Sequence, residues 1–172
     1  MSDTDRNVKA VSKRVSGTVD DSTAGPNSFS ARIEGIHYGV LDKLIGYAIR
    51  RAQLSIYEDF SKALAKEDIT PQRFSALVII ESNSGISQTR LSQVMGIARS
   101  GVVSIIDTFE KMDLVERQAS DDRRSYSLSL TKVGQRQLKK YKKTVEEHDN
   151  RVSENLSVAE RRQLRLLLGK LC

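Results

Sequence analysis

A single cysteine, Cys172, makes an intramolecular disulfide impossible and leaves a Cys-ligated metal site short of ligands, which suits a reducing compartment. Histidine is almost as scarce: His37 and His148 are the only two. No Ser-His-Asp or paired-carboxylate arrangement stands at useful spacing, and no Gly-rich phosphate loop is present. An enzyme is therefore not expected, and neither is a metal or an organic cofactor; a zinc or copper sensor would have to lean on carboxylates. The chain has no run of 18 apolar residues, so no membrane-spanning segment is expected. Its N-terminus lacks the apolar core of a secretory signal, so the expectation is a cytoplasmic protein. Charge is the one total that leans: 28 Lys and Arg against 22 Asp and Glu give a net +6 and a pI near 9.5. That excess is compatible with a polyanionic partner but decides little alone.

What is present is helical patterning around one compact motif. Residues 1–33 are rich in Ser, Thr, Asp, Lys and Gly without an apolar period, and read as a disordered tail. Its Arg6, Lys9, Lys13 and Arg14 either brush phosphates or belong to a solvated leader, the favoured reading. Order is expected from near Ile36. Leu41, Leu44, Ile45, Ala48, Ala52, Ile56, Phe60 and Leu64 keep helical spacing over more than six turns, longer than a compact domain needs. Thr70-Pro71 is a helix start, with Thr as N-cap and Pro where a missing N–H costs nothing. The helix opened there is apolar nearly all round, at Phe74, Leu77, Val78, Ile79 and Ile80.

From Ser87 to Leu130 the pattern predicts a helix (Ser87 to Met95), a turn at Gly96-Ile97, and a second helix (Ala98 to Met112). Val102, Ile105, Ile106, Phe109 and Met112 form the buried stripe of that second helix. Ser100, Ser104, Asp107 and Lys111 lie opposite, flanked by Arg99, Gly101, Val103 and Thr108. Two strands come next, Leu114 to Arg117 and Ser125 to Leu130, with Tyr126, Leu128 and Leu130 expected to face inward. The charged tip Asp121-Asp122-Arg123-Arg124 joins them. Together these elements describe a winged helix-turn-helix, whose second helix suits a DNA major groove. Thr131 then caps a helix through about Val152, and His148 falls on its apolar period. Ser157-Val158-Ala159-Glu160 is a capping box opening a last helix with Leu164, Leu167, Leu168 and Leu171 on one side. Such a seam either covers the chain's own core or packs on a second copy, and the second is favoured.

Gly96-Ile97-Ala98-Arg99-Ser100, then Leu114-Val115-Glu116-Arg117, then Asp122-Arg123-Arg124, then Leu130-Thr131-Lys132-Val133-Gly134 together resemble the MarR family of bacterial transcription regulators. The resemblance runs from about Leu41 to Leu171. It implies a mostly α fold with a small β-hairpin wing: a winged helix-turn-helix core at 66–132, with dimerisation helices at 36–64 and 133–172, in a single domain spanning 34–172. It also implies a homodimer on a pseudo-palindromic double-stranded DNA operator, commonly a repressor released by a small molecule bound between the dimerisation helices and the winged domain. Carried over, Arg99, Ser100 and Ser104 would sit at the major groove, with Gly101 and Thr108 on the same side. Arg123 or Arg124 would enter the minor groove, oriented by Asp122. Two departures stand out. Gly101 and Ser104 occupy positions where the family pattern has Thr and often Arg, which thins base readout, and the loop from Gln118 to Arg124 is about a residue short.

Each assignment has a plainer rival. Arg99 takes guanine edges, at about 1–3 kcal/mol of discrimination, or holds a phosphate. Arg123 and Arg124 reach DNA or pair with Asp121 and Asp122 in a solvated tip. The segment Gly46 to Arg51 looks like a subgroup associated with aromatic-acid catabolism, some of whose members respond to aromatic acids or their coenzyme A thioesters. On that likeness Arg50 and Arg51 would meet a carboxylate or phosphates, while Tyr47 and Phe74 line an apolar slot. Otherwise the arginines only lie over a dimer face. The family's peroxide-sensing branch needs a reactive cysteine near the first helix, and none is there. The expectation is a ligand-responsive DNA-binding regulator. Its rivals are a winged-helix architectural or RNA-associated protein without an effector, and a protein-interaction module.

Overall fold

The computed structural model describes residues 30, 32–119 and 126–171. Nearly all of the expected tail, the wing tip from Asp121 to Arg124 and the terminal Cys172 lie outside the described residues. Arg32 and Ile33, counted with the tail in the sequence, are tied to the first ordered turn: Arg32 pairs with Asp42 at 2.6 Å, and the Ile33 N–H donates to the Tyr38 hydroxyl at 3.1 Å.

Six α-helices are present among the described residues: α1 (Ile45–Ala63), α2 (Pro71–Ser82), α3 (Gln88–Met95), α4 (Arg99–Lys111), α5 (Lys132–Val152) and α6 (Val158–Leu168). The first departs from expectation. Helical spacing starts before Ile45, but the chain there is a 3₁₀ turn, Gly39–Lys43, entered at a left-handed Gly39 (φ 58°) and left through an extended Leu44 (ψ 120°). Apolar period alone does not report such a break. Four of the other five starts obey their caps. Thr70, Ser87, Thr131 and Ser157 each accept a backbone N–H three residues on, and Ser157 with Glu160 completes the capping box.

Three strands, rather than the two expected, make one antiparallel sheet in the order β1 (Ile86–Ser87), β3 (Tyr126–Leu130), β2 (Val115–Ala119). Two residues are too few to show a period, so β1 was invisible in the sequence. Its register sets Ile86 opposite Leu128, and β2 sets Val115 opposite Leu130 and Arg117 opposite Leu128. Leu128 and Leu130 face the core, but Tyr126 is not buried with them: it is 56 % exposed.

The core joins Leu77 and Ile80 of α2, Leu91 of α3, the α4 stripe Val102, Ile105, Ile106 and Phe109, then Leu114 and Leu128, and Leu138 of α5. Glycine is obligatory at one junction. A Cβ on Gly134 would stand 2.0 Å from the Leu114 carbonyl oxygen, so the start of α5 lies directly on the backbone between α4 and β2. The Thr131 side chain donates to the Asp113 carbonyl at 2.6 Å and accepts from the Gly134 N–H at 2.8 Å. The Leu-Thr-x-x-Gly segment thus has a steric reason: it is where the last strand turns into α5 against the end of α4.

Candidate nucleic-acid interface

The turn between α3 and α4 is made by Gly96, left-handed at φ 63°, whose N–H closes the end of α3 on the Gln93 and Ser92 carbonyls. From there α4 runs with its apolar stripe buried and a small polar face outward. Arg99, Ser100 and Ser104 are exposed, while Gly101, Val103 and Thr108 are half-covered. The Thr108 hydroxyl donates to the Ser104 carbonyl at 2.9 Å, which turns it back along its own helix. No side chain caps the start of α4, where the N-cap residue is Ala98. Its first amides and Arg99 therefore give this end positive character.

Gly101 needs no room of its own. A Cβ there would meet only the Ile97 Cδ1 atom at 3.7 Å, an ordinary contact. Glycine inside a helix costs about 0.5–1 kcal/mol relative to alanine, so this one is not explained by packing within the chain.

Behind the polar face stands a charge cluster that sequence reasoning did not single out. Arg117 of β2 donates through Nη2 to Asp107 and through Nη1 to Glu110, both at 2.5 Å, and both acids lie on α4. The signal was available. Arg117 has the strand parity of Val115, so it points to the core side, and a charged residue there needs partners of opposite sign.

A second cluster ties α1 to α5. His148 is 4 % exposed, and its Nδ1 lies 2.7 Å from Asp59 Oδ1, with Arg151 on the same oxygen at 2.8 Å and the Phe60 ring edge-on at 5.3 Å. The Arg151 guanidinium holds the Asp59 carboxyl below its ordinary 3.8; partial burial opposes this and His148 adds to it. An ionised carboxylate only accepts, so Nδ1 carries the proton of that bond. His148 is buried within one chain, against α1, where its helical position suggests a packed interface residue.

The four residues set apart for an effector fall into two places. Arg51 stacks on Tyr38 at 4.7 Å and on Tyr47 at 5.5 Å, near the start of α1, and Arg50 beside it is exposed. Phe74 instead packs on Phe60, at 6.2 Å between ring centroids. A helical stretch of about 20 Å separates Phe60 from Tyr47. Within one chain the slot is not closed by these four. Among the described residues no group of three His, Cys, Asp or Glu side chains could hold a metal ion, and no helix is long and apolar enough to cross a membrane.

Comparison with known proteins places this geometry. The family model described as MarR family matches residues 69–126, which run from just before α2 to the first residue of β3. The chain is 32% identical over 136 residues to a putative transcriptional regulatory protein for the hcr operon of Thauera aromatica, covering 78% of this chain and 82% of that one. It is 32% identical over 122 residues to the transcriptional repressor MprA of Escherichia coli (strain K12), 69% of each. Among solved structures, the transcriptional repressor CouR bound to a 23-mer DNA duplex superposes with a TM-score of 0.76 at 37% identity, over 79% of this chain and 97% of that one. CouR bound to p-coumaroyl-CoA gives 0.73 at 34% identity, over 79% and 96%. These relatives are transcription regulators rather than enzymes.

Proposed function

The chain belongs to the MarR family of transcription regulators, and on that basis we propose that it acts as a homodimeric repressor on a pseudo-palindromic operator and is released by an aromatic acid or its coenzyme A thioester. The observation that carries the DNA half is the division of α4. Its apolar stripe is spent on the core, and the face left outward is short, polar and free of bulky side chains around Gly101. A helix of that shape suits a major groove about 12 Å wide. Arg99, Ser100 and Ser104 would meet bases or phosphates, Gly101 would allow close approach, and Thr108 would line the same side. Asp122, Arg123 and Arg124 keep the minor-groove role of the wing, where arginine answers to groove width and potential.

Support for the homodimer comes from apolar side chains left open at both ends of the described chain. Val40, Ile45 and Ile49 near the start of α1, and Leu164, Leu166, Leu167 and Leu168 of α6, are all exposed. Such side chains, recurring on α1 and α6, suit burial against a second copy. The effector half rests on relatives: the CouR structure holding an aromatic acyl-CoA and the Arg51 stack beside Arg50. In this reading Arg50 and Arg51 take the carboxylate or phosphates and Tyr47 gives an apolar wall beside them, while Phe74, packed on Phe60 toward the other end of α1, stands apart from that group.

Footprinting on the DNA flanking the protein's own gene, then mobility shifts over a salt series, tests the DNA half. Arg123→Ala and Arg124→Ala should weaken operator binding strongly and flatten its dependence on salt. Unchanged slopes for both would remove the wing from the interface. Calorimetric titration with benzoate-type acids and aromatic acyl-coenzyme A thioesters tests the effector half: release of the operator by one of them is expected, and no heat from any would defeat it.

A further inference from the structure

The reading head has few groups with which to distinguish bases. On the outward face of α4 stand Ser100, Gly101 and Ser104, and Thr108 is already bonded to its own helix. Contacts of the Arg–guanine or Asn–adenine kind, the main carriers of direct readout, are available on this face only from Arg99 at the start of α4 and Lys111 at its end. What this region has instead is an unusually firm link between two elements. Arg117 leaves β2 on the core side of the sheet, opposite Leu128, and its guanidinium grips Asp107 and Glu110 on successive turns of α4. Its side chain is only 22 % exposed, and its Nε is buried with no hydrogen-bond partner. An unsatisfied donor of that kind costs stability, so a wholly apolar contact in place of all three charged side chains would hold the wing at least as tightly. A planar fork held by two carboxylates does something an apolar contact does not: it fixes direction as well as distance.

We propose that Arg117 is a specificity-determining positioning residue. By locking β2 to α4 it sets the separation and angle between the helix in one groove and the wing in the next. The protein then selects its operator by the fit of this rigid pair to sequence-dependent groove geometry more than by hydrogen bonds to base edges. Arg117 does not touch DNA in this scheme. Asp107 would otherwise put an unpaired negative charge on the flank of the reading face, and the same clamp neutralises it. The inference rests on the DNA reading of α4 and names how that face discriminates.

The test compares operator with unrelated duplex of equal length, at several salt concentrations, for wild type, Arg117→Met, Arg117→Lys and Glu110→Gln. Arg117→Met is expected to cut the ratio of operator to non-specific affinity about tenfold, beyond the common fall that both affinities show when Asp107 and Glu110 lose their partner. Arg117→Lys, charged but without the fork, should recover only part of the ratio. Glu110→Gln keeps the shape of the cluster and should give a smaller loss in the same direction, which serves if Arg117→Met does not fold. A ratio within about twofold of wild type in folded variants would overturn the proposal, as would operator and non-specific affinities falling in equal proportion. A wild-type chain that prefers no duplex would instead overturn the DNA reading, and this inference with it.

Discussion

In α4, Val102, Ile105, Ile106 and Phe109 recur at helical spacing and every one is buried; in α6 and the residues closing it, Leu164, Leu167, Leu168 and Leu171 recur in the same way and every one is exposed. The two helices are similar in length and amphipathic character, and both begin within a residue of the expected place. They differ in what the rest of the chain brings to them. Around α4 stand α2, α3, the sheet and the start of α5, each with its own stripe. At α6 the chain's ties run back through Arg161, which reaches the Leu156 carbonyl and the Asn150 side chain. Among the described residues the core of the winged half is therefore covered within one copy, while the arms leave apolar side chains exposed. An apolar period says that a face will be covered, not whose atoms will cover it.

Breaking the complete half should have the largest effect. Gly134→Ala places a methyl group inside the Leu114 carbonyl, and the backbone on both sides has to move. We expect a loss of about 3 kcal/mol or more in urea unfolding, with association through the arms failing only as a consequence of unfolding. A loss under about 1 kcal/mol would mean that the start of α5 is free to shift.

Breaking the open half should leave folding alone and abolish association. Leu164→Glu with Leu168→Glu removes two side chains whose burial contributes about 1.5–3 kcal/mol each. The dimer dissociation constant measured by sedimentation should rise about a hundredfold or more, and operator binding should go with it, while helix content stays. An unchanged oligomer would assign the covering of α6 elsewhere.

A smaller effect separates packing from recognition inside the winged half. Gly101→Ala should stabilise the folded chain by about 0.5–1 kcal/mol, since only an ordinary contact with Ile97 awaits the new methyl, and should weaken operator binding. Stabilisation with undiminished binding would show that α4 does not approach a duplex closely there.

The smallest effect concerns the seam of α1 and α5. The Asp59 carboxyl is depressed in the folded chain, so its contribution is present above the ordinary value of 3.8 and is lost as pH falls through the lower folded value. Asp59→Asn should cost under about 1 kcal/mol at neutral pH. The gap to wild type should close in acid below about pH 3.8; a gap that stays constant would mean that hydrogen bonding alone, not charge, holds the pair.

Much of the fold was legible because it is written locally. Thr70-Pro71, Ser87, Thr131 and the Ser157–Glu160 box each mark a helix start within a few residues, and the α4 stripe declares its buried face by period. The outward polar face of α4 emerged as the complement of that stripe. What was not legible has non-local causes. The break at Leu44 lies in backbone angles that apolar spacing does not encode. The short strand β1 exists only because β3 lies beside it. Tyr126 keeps the strand parity of Leu128 and Leu130 and is exposed nonetheless, since parity names a face and not what covers it.

Neighbours a few positions apart were enough to set the capped helix starts, the inward stripe of α4, the turn at Gly96-Ile97 and the family to which the chain belongs. Packing in three dimensions settled the rest: that Arg117 would meet Asp107 and Glu110, that Gly134 would press on Leu114, that His148 would find Asp59 across 89 positions, and that Tyr47 and Phe74 would stand at opposite ends of α1. No period or cap carries those pairings, because such side chains meet through the positions of whole helices and strands.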